Sequence, residues 1–202
     1  MAEMLTTDSI RWATGRLRQT METASGELNE LDGALGDGDL GVTLARAAQR
    51  LVEDAPRLPD DVGAALLQCS QAFTRVTAST YGTLLATGLM AAAKATRGRS
   101  AVPWTEIPAL LAVALQAMSL RGKGALGDKT VLDALQAARH ATEGLDQPAA
   151  QVAAAGRAVD AIIAEFRDRP FRQGRARIFG EKGLGRDDPG MVAFKRILES
   201  LA

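Results

Sequence analysis

The chain has 202 residues, 47% of them hydrophobic but only 4% aromatic, and its 24 basic and 24 acidic side chains leave no formal net charge. That length is enough for one domain with a substantial core, while the charge balance excludes nonspecific nucleic-acid binding through a broad basic field. Neither a membrane-spanning helix nor a signal peptide is expected, and the single cysteine, Cys69, excludes an internal disulfide and fits a reducing cytoplasm.

Apolar residues recur at helical spacing along most of the chain. Ile10, Ala13, Leu17, Met21, Ala24, Leu28 and Leu31 mark a long first helix, capped by Thr7 or Asp8 and ending near Gly33. A second helix opens at Asp39 and runs to Pro56. A third is capped by Asp60 and carries Val62, Leu66 and Phe73. A fourth follows Tyr81 and Gly82 to about Lys94, after which Gly98 to Pro103 reads as a loop. Ile107 to Met118 forms a fifth helix, and a sixth begins near Asp128, which is a candidate N-cap. Pro148 precedes the seventh, and Asp188-Pro189 opens the eighth, proline being favoured at the first helical position. No window alternates with period two. The expectation is an all-α domain of about eight helices, without internal repeats or a domain boundary.

The glycines cluster in four interhelical segments, each rich in groups suited to phosphate or metal. The first, Leu35-Gly36-Asp37-Gly38-Asp39-Leu40-Gly41, follows Asp32 closely and concentrates three carboxylates. Hard cations such as Mg²⁺ take oxygen ligands and usually retain waters or substrate phosphates as well. Asp32, Asp37 and Asp39 are therefore candidate metal ligands, with Asp37 and Asp39 on one side if the loop is extended. The helix that follows is expected to offer unpaired N–H groups to an anion. Read singly, each aspartate is a turn or cap residue; together, interleaved with glycine, they favour a metal site.

The second segment, Thr77 to Thr83, offers hydroxyls at a helix entrance, for phosphate or merely as a cap of the fourth helix by Ser79 or Thr80. The third, Gly122 to Thr130, lacks Walker spacing and follows a helix, which excludes a P-loop fold. The fourth, Gly174 to Gly190, gathers Arg175, Arg177, Lys182 and Arg186 ahead of Asp188-Pro189-Gly190, either as a solvated surface or as a phosphate clamp. His140, the one histidine, sits near a helix end and suits neither a nucleophile nor a substrate anchor.

Gly36-Asp37-Gly38-Asp39-Leu40-Gly41, Tyr81-Gly82-Thr83, Gly127-Asp128-Lys129-Thr130-Val131-Leu132-Asp133 and Gly174-Arg175-Ala176-Arg177 with Asp188-Pro189-Gly190 resemble, in the same order, the L subunit of dihydroxyacetone kinase. The resemblance spans nearly the whole chain and implies a single domain over residues 1–202, a barrel of eight antiparallel helices with a nucleotide and two Mg²⁺ ions in the loops at one end. It further implies a cytoplasmic kinase subunit that passes a phosphoryl group from ATP, or from bound ADP recharged by a phosphocarrier, to a short ketose held by a separate K-type subunit. L subunits of this kind often pair as homodimers.

On that resemblance Asp32, Asp37 and Asp39 match the metal-binding aspartates. Ser79, Thr80 and Gly82 match the phosphate segment, Gly127, Asp128 and Thr130 the loop beside the nucleotide, and Arg175 with Asp188, Pro189 and Gly190 the lid and wall. Leu40, in the nucleotide-side loop, and Arg186 replace usual histidines, and the phosphate segment is poorer in glycine than is usual. No catalytic side chain is expected beyond those that position metal and phosphate. A non-catalytic nucleotide-binding or partner-binding module is the alternative reading.

Overall fold

In the computed structural model of the chain, residues 4–76 and 79–202 are described, the side chains of Arg175 and Lys182 excepted. Eight α-helices carry the fold of these residues: α1 (Thr7–Gly33), α2 (Leu40–Asp54), α3 (Val62–Val76), α4 (Thr80–Ala95), α5 (Ile107–Gly122), α6 (Val131–Thr142), α7 (Pro148–Phe166) and α8 (Pro189–Glu199). Each packs on its neighbours in sequence, and α8 returns to α1, so the helices close a ring. The expected all-α class of about eight helices is borne out, with one addition. Two short strands, β1 (Met4–Thr6) and β2 (Ala101–Pro103), pair antiparallel, with Leu5 opposite Val102. A three-residue strand holds too few positions to show alternation, which is why 98–103 reads as loop.

The helix ends refine the expectations. Thr6 caps α1 in a reciprocal capping box with Ser9, one residue ahead of the expected cap. Asp61, and not Asp60, accepts the amide of Ala64 at the start of α3. The α6 helix begins at Val131 with Thr130 as N-cap, because the Thr130/Asp133 pair forms a capping box that Asp128 cannot.

Parity places the functional end. Helices that alternate in direction bring the α1–α2, α3–α4, α5–α6 and α7–α8 connections to one end of the ring, and these are the four glycine-rich segments. The β-pair, formed before α1 and between α4 and α5, belongs to the opposite end.

Small residues let the backbones approach. At Gly41 a Cβ would stand 2.1 Å from the carbonyl oxygen of Ser25, and at Gly63 it would stand 2.6 Å from that of Ala93. The α1–α2 and α3–α4 seams are thus set at a distance that no larger residue permits. Cys69 is a buried core residue, and burial pushes its thiol up to about 12. Among the described residues, no helix is long and apolar enough to cross a membrane.

Candidate functional site

The α1–α2 loop owes its shape to its own polar groups. α1 ends at Gly33, the amide of Leu35 donates to the carbonyl of Asp32 at 3.0 Å, and the Leu35 side chain is buried as an anchor. Gly38 turns the chain at φ 76°, a left-handed conformation that side chains resist. The loop is therefore bent where sequence reasoning imagined it extended. It still brings one carboxylate oxygen each from Asp32, Asp37 and Asp39 within 4.8 Å of one another. Asp39 occupies the N-cap position of α2 without making a side-chain capping bond.

The first amides of α2 are not open to an anion, contrary to the expectation. Asp32 Oδ2 accepts from the amides of Asp39 (3.1 Å) and Leu40 (3.4 Å), and Asn29 Oδ1 accepts from those of Gly41 (2.8 Å) and Val42 (3.2 Å). One turn of α1 thereby caps α2 from outside. Asn29 escaped sequence reasoning because its partners lie 12 and 13 residues away, beyond any local capping pattern.

Three carboxylates this close repel each other by roughly 0.9 kcal/mol per pair even in a water-like dielectric. A hard divalent cation relieves that repulsion and meets only oxygen donors, so the residues present fit Mg²⁺. Asp32 is half-buried and fixed by the two amides it accepts, while Asp37 and Asp39 are exposed, which leaves room for water or phosphate on the open side.

Beside them lies a cavity of about 690 Å³ lined by Leu35, Gly36, Asp37, Thr80, Gln173, Gly174, Arg177, Ile178 and Phe179. It joins the aspartate loop, the start of α4 and the segment before α8, and its size suits a nucleotide-sized ligand. Of the expected residues, Asp37, Thr80 and Arg177 line it. Ser79 caps α4 by accepting the amide of Gly82 at 3.1 Å, so the capping role once weighed against phosphate binding is occupied. Thr77 and Ala78 lie outside the described residues.

Leu40 is a correction: its side chain is buried in the main core with Leu44 and Leu51. As the first residue of an amphipathic helix it points inward, and only its amide serves the loop.

Gly127, Asp128 and Thr130 do not line the cavity but shape a loop that supports it. Asp128 Oδ2 accepts from the amide of Ala125, and the Asp128 carbonyl accepts from that of Arg172. Asp133, the last residue of the third motif, is buried and accepts the amides of Gly127 (2.6 Å) and Thr130 (2.9 Å). The Thr-x-x-Asp spacing of 130–133 is the signal that could have found it. Gln173 then links this loop to the cavity, donating from Nε2 to the carbonyl of Gly122 at 2.8 Å while lining the pocket.

Asp188, Pro189 and Gly190 form a wall behind α4. Asp188 caps α8 by accepting the amide of Met191 at 2.7 Å, and burial pushes its carboxyl up to about 7 against the opposing pull of that amide and of Lys129. At Gly190 a Cβ would lie 3.1 Å from the Tyr81 ring, so glycine there admits the aromatic. Burial, with the nearby Asp188 charge, also raises the Tyr81 phenol, whose oxygen finds no hydrogen-bond partner among the described residues. The backbone of Arg175 opens a 3₁₀ segment at 175–183, but its side chain lies outside the described set. Arg177 supplies the described positive charge at the cavity. Arg186 is exposed and stands apart from the cavity lining. His140 is likewise exposed and pairs with Gln136.

The model of the DAK2 domain matches residues 34–202, which takes in all four segments and leaves Asp32 just outside. The chain belongs to the DAK2 domain family. Over 97% of its length it is 29% identical to the PEP-dependent dihydroxyacetone kinase, ADP-binding subunit DhaL of Escherichia coli K12, covering 95% of that protein. It is 31% identical to human triokinase/FMN cyclase over 92% of its own length but only 33% of that chain. The solved dihydroxyacetone kinase of C. freundii in complex with AMP-PNP and Mg²⁺ superposes with a TM-score of 0.75 at 26% identity, covering 96% of this DAK2 chain and 33% of that one. The fold is that of the dihydroxyacetone kinase L subunit, and the relatives are kinases or kinase subunits.

Proposed function

We propose that this chain is the nucleotide-binding subunit of a dihydroxyacetone or related short-ketose kinase, acting as one domain over residues 1–202. The observation that carries the reading is the convergence of Asp32, Asp37 and Asp39 at the edge of a 690 Å³ cavity, at the glycine-rich end of the ring. The E. coli relative named as an ADP-binding subunit supports it from outside.

Phosphoryl transfer asks the protein mainly for positioning and charge neutralisation. In this reading the three aspartates hold two Mg²⁺ ions, which when bound neutralise charge on the phosphate chain. Asp32 keeps its orientation through the amides of Asp39 and Leu40. Thr80 presents a hydroxyl at the start of α4, and Arg177 presents a guanidinium from the segment above. In this reading the reacting hydroxyl comes from the substrate. A K-type partner is the proposed holder of the ketose, and the donor is ATP or ADP recharged by a phosphocarrier.

The test mixes this chain with a K-type ketose-binding subunit, Mg²⁺, ATP and dihydroxyacetone. A phosphorylated ketose is expected only when both chains are present. Product that forms only with ADP, phosphoenolpyruvate and the phosphocarrier components assigns the second donor. If neither mixture yields product although Mg-ADP binds, the chain is a binding module and the kinase reading fails.

A further inference from the structure

Lys129 is only 1% exposed, yet it carries an ammonium and adopts a left-handed backbone at φ 62°. A buried ammonium is costly unless fully hydrogen-bonded, and a left-handed lysine is uncommon. Both features persist only where the surroundings determine them. Lys129 Nζ donates to the carbonyls of Arg167 and Arg169, each at 2.9 Å, and stands 4.1 Å from the centre of the Phe171 ring. Because α7 ends at Phe166, both carbonyls lie beyond its last helical residue, on the chain leaving for the cavity. The ammonium thus grips the departing strand and does not merely plug a helix end.

That strand opens a loop whose two ends meet at the same place. The Arg167 guanidinium pairs through two 2.8 Å bonds with Asp187, and the Arg167 carbonyl also accepts the amide of Gly185 at 3.0 Å. At Gly183 a Cβ would fall 2.6 Å from the Phe171 ring, so the returning chain packs on the aromatic that the ammonium faces. Phe171 is buried but stands outside the main core cluster. Between these ends, the loop delivers Gln173, Gly174, Arg177, Ile178 and Phe179 to the cavity. On its other side Lys129 belongs to the α5–α6 loop, fastened by Asp133 and by the bond from Arg172 to Asp128.

We propose that Lys129 is a positioning residue that clamps the neck of the 167–187 loop and so sets where Arg177 and Gln173 stand over a bound phosphate chain. The inference rests on the nucleotide-site reading above. Burial lowers the lysine pKa, opposed by the charges of Asp188, Asp187 and Asp168, while the two carbonyls and the Phe171 ring supply the contacts of the clamp.

The test compares wild type with Lys129→Met, which keeps the side chain's bulk and removes its donors. Three quantities are read: trypsin cleavage at the exposed Arg172, Arg177 and Arg186, Mg-ADP affinity, and direct Mn²⁺ binding. Cleavage in the loop is expected to rise about tenfold even without nucleotide, as for a locally released segment. The Kd for Mg-ADP is expected to rise about tenfold while Mn²⁺ binding stays within about twofold. Lys129→Arg, which keeps charge and donors, should recover most of the affinity. Wild-type cleavage and affinity in Lys129→Met overturn the proposal, as does equal loss of Mn²⁺ and nucleotide binding, which marks general collapse. Should Lys129→Met fail to fold, Phe171→Leu weakens the same clamp from the ring side and is judged by the same outcomes. If wild type binds no Mg-ADP, the functional reading fails, and the cleavage ratio alone still decides the role of Lys129.

Discussion

Replacing Asp32 with alanine is expected to reduce Mg-ADP affinity by about 100-fold or more, the range for losing a metal ligand or the group that orients one. It should also lower stability by about 1–2 kcal/mol. The double effect follows from its two duties. Its carboxylate belongs to the aspartate cluster proposed to hold the cation and also accepts the amides that open α2. Asp32→Asn separates the duties: its remaining carbonyl oxygen can still accept the amides, while the lost charge weakens cation binding. Stability should then stay within about 0.5 kcal/mol of wild type, while affinity falls nearly as far as in the alanine variant. Thermal denaturation and calorimetric titration of both variants check this. Equal stability losses in the two would show that Asp32 does not hold the helix start.

Gly41→Ala is expected to be among the most destabilising single-methyl additions in the chain. Its new Cβ would lie 2.1 Å from the Ser25 carbonyl oxygen and 2.8 Å from the Ser25 Cα, both backbone atoms that cannot rotate aside. Relief requires α2 to move off α1, at a cost of about 3 kcal/mol or more. For a chain of this size that is a fall of roughly 6–12 °C in Tm. The same movement carries Asp39 away from Asp32 and Asp37, so metal binding should weaken alongside. Gly26→Ala is the matched control, since a Cβ there meets nothing within 4 Å. An exposed helical glycine replaced by alanine should gain about 0.5–1 kcal/mol. Melting curves of the pair decide the matter, and equal effects would refute the close-approach account.

The fold was largely legible because its helices are long and amphipathic, and because proline, glycine and hydroxyl residues punctuate them at separations a local reading detects. Ser79, Asp188-Pro189 and Gly33 sit where their chemistry indicates. The β-pair was not legible, since Leu5 and Val102 meet only through the ring closure of the whole bundle. At the site, the aspartate triad was readable as a local composition, whereas its support was not. Asn29 reaches across a helix end, Asp133 holds a loop from within α6, and Gln173 bridges two connections. Leu40 shows the converse error. It was placed on the ligand side because it stands where the resembled family usually has histidine, but helical direction turns its side chain into the core. Motifs mark where a site is, and side-chain direction decides which members take part.

If Asp32, Asp37 and Asp39 form a cation-dependent nucleotide site, calorimetric titration of ADP reads it without any partner subunit. Wild type should bind ADP with Mg²⁺ present and lose measurable binding when the cation is chelated, and Asp37→Ala should weaken the Mg²⁺-dependent binding about 100-fold. Binding that persists without a divalent cation, or that is unchanged in Asp37→Ala, would show that these aspartates hold no cation for the nucleotide.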